Sequence, residues 1–217
     1  MCGRYTLTQR RSDEIRQTLA DQLGVEAPES DRGFERFNIA PSQEVLAVVD
    51  DRDGRRIEEL RWGLVPSWAR ELKSGFTMIN ARAETLEERP AYRPLVRDAR
   101  HRCLVLADGW YEWQGPEDPR QPRLPVRFSF PGGEPFCFAG LWTRWRSPAG
   151  ELVPSCAIVT CEANELARPI HHRMPVVLVD PERWEAWLDP RLDAGAAGEL
   201  LVPISGARLT VSPATRS

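Results

Sequence analysis

Lysine is almost missing from this chain. Lys73 is the only one, so 28 of the 29 basic residues are arginine. A GC-rich genome produces that bias, and so does a need for forked contacts with phosphate, so composition leaves both readings open. Long apolar runs are missing too. Nothing approaches the roughly 20 residues that a helical membrane span requires, and the first residues lack the apolar stretch of an export signal. The expected compartment is the cytoplasm, including the nucleoid, and no membrane is expected as a partner. The five cysteines, Cys2, Cys103, Cys137, Cys156 and Cys161, form no C-x-x-C pair. An odd count without an export signal reads as reduced thiols, with Cys103 and Cys137 inside apolar strands as core. Surplus positive charge is absent as well. A net charge of −3 excludes a protein coated with basic surface, so any polyanion would need a local groove. Histidine is scarce, at three residues. Of these, His171 and His172 are adjacent, and adjacent side chains on an extended strand face opposite ways. With no ligand spacing around them, neither a metal nor another cofactor is expected.

What is present reads as an ordinary globular protein. The chain has 217 residues, 41% hydrophobic and 28% charged, enough to bury a core without disulfide help. Many short apolar strands punctuated by Gly and Pro, with few helical stretches, predict an α+β fold. We expect one domain over residues 1–217, with a mainly antiparallel, barrel-like sheet and a few short flanking helices. Strands are expected at 4–7, 44–49, 57–62, 103–106, 126–130, 136–138, 155–160, 176–179 and 209–211. Asp53-Gly54 marks a hairpin turn. Helices are expected from Ser12, with Ile15, Leu19 and Leu23 on one face, and over 86–100 (broken at Pro90 and Pro94), 162–167, 181–188 and 193–201.

The chemistry concentrates at the start. Removal of Met1 would leave Cys2 with a free α-amine and a thiol on adjacent carbons. The reference pKa values are about 8 and 8.5, so both groups have reactive forms near neutral pH. Such a 1,2-aminothiol attacks an aldehyde twice, first as amine to give an imine, then as sulfur to close a thiazolidine. Cys2 also fits a small apolar residue opening a strand. Further along, Glu112 sits among Trp110, Tyr111 and Trp113, where desolvation would raise its pKa and suit it to general acid–base work. A half-exposed strand glutamate is the plain alternative. Trp62 reads as packing. Trp68, just past Pro66, reads as an exposed ring on which single-stranded nucleic acid can stack. Trp184 and Trp187, at i and i+3, read as core.

Six segments in order carry a family resemblance: Met1-Cys2-Gly3-Arg4, 37–41 (Phe-Asn-Ile-Ala-Pro), 61–66 (Arg-Trp-Gly-Leu-Val-Pro), 80–85 (Asn-Ala-Arg-Ala-Glu-Thr), 107–113 (Ala-Asp-Gly-Trp-Tyr-Glu-Trp) and 170–175 (Ile-His-His-Arg-Met-Pro). Together they resemble the SOS response-associated peptidase (SRAP) family, over most of the chain. The resemblance implies a sensor of abasic sites in single-stranded DNA that crosslinks itself to the lesion as a thiazolidine and removes its own Met1. It implies roles for Cys2 as nucleophile, Asn80 in orienting it, Glu112 as proton shuttle and His171 in opening the sugar. Arg4, Arg82 and Arg173 resemble phosphate contacts, and Asn38, Pro41 and Trp68 parts of the DNA-binding face. The implied partners are abasic single-stranded DNA and the replication machinery, with the protein a monomer. The resemblance assigns nothing to His172, and the ending after Val211-Ser212 departs from the family's pattern. Two rival readings are an N-terminal-cysteine glutamine amidotransferase and a non-covalent reader of single-stranded DNA.

Overall fold

The computed structural model describes residues 2–8, 19, 21–25, 36–115 and 122–214. Its centre is a ring of five strands. β3 (Glu44–Asp51) and β4 (Gly54–Trp62) form the hairpin that Asp53-Gly54 predicts, with Gly54 at φ +93°. Such a left-handed φ suits glycine, which has no Cβ to clash. β3 pairs with β6 (Arg102–Ala107), β6 with β9 (Phe136–Arg146), β9 with β10 (Leu152–Glu162), and β10 returns to β4 at Ser155–Arg61. Only that last pairing in the ring is parallel. Closing the ring removes exposed edges, and the strands can then bury side chains on both faces. β6 accordingly buries all six of its residues, including Cys103, and β9 buries Cys137.

A second, antiparallel sheet lies against the ring in the order β13–β8–β7–β1–β2. Its strands are β1 (Tyr5–Leu7), β2 (Arg36–Ile39), β7 (Gly109–Gln114), β8 (Leu124–Ser129) and β13 (Thr210–Pro213). Aromatic rings join the two sheets. Tyr5 meets Trp62 and Phe138 edge-on at 5.4 and 5.6 Å, and Trp110 stacks on Phe128 at 4.9 Å while its edge faces Phe138. Such pairs add about 0.5–1.5 kcal/mol each beyond their buried area.

Two short strands attach to the far half of β10, and a third extends β9. β5 (Asn80–Arg82) pairs with it in parallel, and β11 (Arg173–Pro175) runs antiparallel to its last residues. β12 (Val177–Leu178) continues onto β9. The helices are small: α1 (Arg93–Arg97), α2 (Pro181–Leu188) and α3 (Ala194–Glu199). Trp184 and Trp187 on α2 are buried, as the i, i+3 spacing predicts. Among the described residues no helix is long and apolar enough to cross a membrane.

Several expectations shift. The helix expected over 86–100 shrinks to α1 between 3₁₀ turns, because Pro90 and Pro94 break the ladder. No helix forms over 162–167. β10 runs on through Glu162, and the buried Asn164 side chain then accepts from Ala167 N–H at 2.8 Å, offering the backbone a turn instead. β9 is far longer than the 136–138 stretch expected. Of the helix expected from Ser12, Leu19 and Leu23 are buried, while Ile15 lies outside the described residues.

Candidate active site

Four elements bring the expected residues together. Cys2 lies three residues before β1, and β1 lies along β7. Tyr5 pairs with Trp110, and Tyr111 N–H donates to Arg4 C=O at 2.9 Å. Continuing that register sets Gly3 across from Glu112. On β7, Trp110 and Glu112 share the inward face, and both are buried. Asn80 opens β5 opposite Ile158, and the chain just ahead of β11 carries His171. The far half of β10 therefore holds Asn80 on one side and the His171 segment on the other.

The contacts are specific. Asn80 Nδ2 donates to the Cys2 carbonyl at 2.9 Å, while Asn80 Oδ1 is buried and accepts from no group among the described residues. An unmet buried acceptor is costly and marks a place where a donor is wanted. The Asn80 backbone carbonyl accepts from Tyr92 Oη–H at 3.1 Å, which fixes the strand end. Cys2 is fully buried, with its thiol 4.0 Å from Arg4 C=O.

Burial sets the protonation states. It pushes the Cys2 thiol well above its usual range, and the Glu112 carboxylate adds to the rise. Burial likewise lifts the Glu112 carboxyl to about 7, against the downward pull of the positive chain terminus. His171 is lowered, chiefly by burial, then by the same amino terminus. At neutral pH the thiol is thus protonated, the imidazole neutral and Glu112 near its midpoint.

His171 Nδ1 sits 3.0 Å from Arg173 N–H and 3.1 Å from Arg173 C=O. Neutral, that nitrogen accepts from the amide; protonated, it can donate to the carbonyl. The ring can keep its place through a protonation cycle. The His171–His172 pair is not on an extended strand, as the sequence suggested. It lies in the bend before β11, so the rings stack at 4.5 Å instead of facing apart.

The residues expected on the DNA-binding face divide. Arg4 Nη1 donates to Asn38 Oδ1 at 2.9 Å, which joins the start of the chain to β2. Pro41 leads a turn in which Ser42 takes φ +73°, a strained conformation for a residue with a side chain. Trp68 is 68% exposed, whereas Trp62 is fully buried with its Nε1 donating to Ile79 C=O at 2.9 Å. Arg82 is exposed on the same face of β5 as Asn80. Arg173 is placed differently. It is 7% exposed, its guanidinium forks onto both Glu84 oxygens at 2.8 and 2.9 Å, and Nη2 also donates to Thr160 C=O at 2.6 Å. A phosphate would have to displace Glu84 to reach it. The fork instead ties the segment after Asn80 to the strand after His171.

Sequence reasoning missed four residues here. Glu84 completes that fork. Arg123, exposed at the entry to β8, contributes positive charge at His171. Phe37 and Phe76 are exposed at 64% and 57%. Phe37 sat within a quoted motif, and its backbone carbonyl accepts from Tyr111 Oη–H at 3.0 Å. The loop carrying Trp68 crosses the one carrying Phe76 at two glycines. A Cβ on Gly63 would stand 2.6 Å from Gly75 C=O, and one on Gly75 would stand 2.4 Å from Gly63 C=O.

Known proteins resemble this chain in sequence and in fold. The family model "SOS response associated peptidase (SRAP)" matches residues 1–217. The chain is 43% identical to abasic site processing protein YoqW of Bacillus subtilis over 88% of this chain and 81% of that one. It is 30% identical to abasic site processing protein YedK of Escherichia coli over 92% and 85%. Among solved structures, a Bacteroides thetaiotaomicron protein at 23% identity superposes with a TM-score of 0.82, covering 98% and 91% of the two chains. A Bordetella bronchiseptica protein at 24% identity has the same fold at TM-score 0.79, covering 99% and 100%. Model, relatives and architecture agree, and the chain belongs to the SOS response-associated peptidase family.

Proposed function

We propose that this protein captures abasic sites in single-stranded DNA through Cys2, as a covalent thiazolidine. Handling of abasic sites follows from its relatives, which are named abasic site processing proteins. The observation that carries the covalent step is the grouping of Cys2, Asn80 and Glu112: Asn80 grips the Cys2 carbonyl, and the Glu112 charge is felt at the Cys2 thiol.

The protonation states favour an order of events. The ring-opened lesion offers an aldehyde at C1′. The thiol is held protonated, so the α-amine of Cys2, freed by loss of Met1, attacks first. Glu112, with a pKa near 7, takes the amine proton and returns one to the departing hydroxyl, so that water leaves and an imine forms. The sulfur then closes on the same carbon, and its proton goes to the imine nitrogen. Amine, thiol and aldehyde become one ring and one water. His171 serves sugar opening by accepting or giving a proton without changing place. Asn80 Oδ1, lacking a donor, fits the amine or a sugar hydroxyl. Arg4, Arg82 and Arg123 supply cations for phosphate, and Trp68 supplies a face for a base. Release of Met1 by this same site would precede all of this, and a general aminopeptidase would give the same product. DNA as substrate sets the workplace at the nucleoid.

A glutamine amidotransferase would use Cys2 as a thiolate. A buried thiol held well above its usual range disfavours that reading.

The test is a denaturing gel of the protein mixed with uracil-excised single-stranded DNA. A shifted band should survive denaturation and disappear in Cys2→Ala. It should also disappear when Met1 is retained, although the thiol is then intact. Persistence of the band in Cys2→Ala would sink the proposal.

A further inference from the structure

The strand that carries the nucleophile is short and weakly laddered. β1 spans three residues, meets β7 at two register pairs, and shifts register against β2 between Tyr5 and Leu7. Its position is critical, because a slip of one residue turns every side chain to the opposite face. What fixes it is a buried carboxylate from the loop ahead of β7. Asp108 is 1% exposed. Its Oδ1 accepts from Thr6 Oγ1 at 2.5 Å and from Arg127 Nη2 at 3.0 Å. Its Oδ2 accepts from Thr8 N–H at 2.8 Å and Thr8 Oγ1 at 2.5 Å. Asp108 N–H also donates to Thr6 C=O at 2.9 Å.

Arg127 on β8 completes the set, donating to Thr6 Oγ1 through Nε and Nη2 at 3.2 and 3.0 Å and to the Asp108 carbonyl at 2.9 Å. The space beside it is reserved. A Cβ at position 109 would stand 2.6 Å from the Arg127 guanidinium, so any larger residue there would push the arginine out of this set. Both Thr6 and Thr8 point to the same carboxylate, as alternate residues of an extended chain do. A buried carboxylate satisfied on both oxygens in this way specifies one arrangement of the groups it joins.

We propose that Asp108, clamped by Arg127, is a positioning residue for the reaction: it fixes the register of β1 so that the Cys2 amine and thiol stand against Glu112 and Asn80. This rests on the covalent-capture reading above. Asp108 touches no reacting atom. Its effect reaches Cys2 through four residues of extended chain, and a displacement of about 1 Å at a reacting group can cost about 10²-fold in rate.

The test uses Asp108→Asn in the full chain, which keeps the shape but turns one acceptor into a donor facing Thr6 or Thr8. Three quantities are read: the crosslinking rate to abasic single-stranded DNA at saturating protein, the Kd for the same strand without a lesion, and the reaction of Cys2 with free glyoxylate. We expect the crosslinking rate to fall about tenfold or more, the Kd to stay within twofold, and the glyoxylate reaction to be no slower, because the aminothiol itself is intact. A merely structural role would move rate and Kd together. A crosslinking rate within twofold of the parent, or a parallel fall of rate and binding, overturns the clamp. If Asp108→Asn does not fold, Thr8→Val, which removes one donor, is read the same way with a fall of about threefold expected. Should the parent protein fail to crosslink, the capture reading falls instead.

Discussion

Two stretches of β10 show how differently one strand can be used. Over 155–157 it is a stave of the closed ring, with Ser155, Cys156 and Ala157 all buried beside β4 and β9. Beyond that its neighbours change to β5 and β11, and the residues they bring are Asn80, Arg82 and Arg173. The first stretch is held by apolar burial, which is non-directional and tolerant of exchange among similar shapes. The second is held by directed contacts: Asn80 to Cys2, Arg173 to Glu84, and His171 to the Arg173 backbone. Substitutions in the ring should be read in stability, and those on the rim in chemistry.

The largest expected break in that contrast is inside the ring. Phe138 is fully buried against Tyr5, Trp110 and Phe136. Phe138→Ala should destabilise by about 3–5 kcal/mol, measured by denaturant unfolding.

Next comes Glu112→Gln, which sharpens the contrast by moving the two readouts in opposite directions. Crosslinking should slow by about 10²-fold, and the limb of the pH–rate profile near 7 should vanish. Stability should rise. Burial lifts the folded-state carboxyl to about 7, above its unfolded value, so the folded protein holds more protons between those two pH values. Stability from this group is therefore full below the unfolded value and declines as pH rises toward 7. A neutral glutamine avoids the loss, on the order of 2 kcal/mol at pH 8, read as a higher Tm for the variant at pH 8 and little difference at pH 4. A variant less stable than the parent at pH 8 would contradict the burial argument.

The smallest effect is on the exposed side of β5. Arg82→Ala should leave Tm unchanged and flatten the salt dependence of DNA binding, lowering the slope of log Kd against log salt by about one. An unchanged slope removes Arg82 from the phosphate contacts.

The ring was legible in the sequence and the rim only partly so. Alternation and apolar runs marked β3, β4, β6 and β10, and Asp53-Gly54 marked their hairpin, because those signals are local. The length of β9 was hidden by Gly140, which reads as a turn but lies inside the strand where a Cβ would meet Cys103. Cys2, Asn80, Glu112 and His171 could be singled out by type and motif, but their convergence depends on β5 and β11 joining one strand, a pairing no local pattern encodes. Arg173 shows the limit most clearly. The family resemblance implies a phosphate contact for it, and only the position of Glu84, 89 residues earlier, turns it inward.

The crossing at Gly63 and Gly75 has a consequence for the outer surface. With no room for even one methyl group between the two backbones, an alanine at either crossing point would push apart the segments that lead to Trp68 and Phe76.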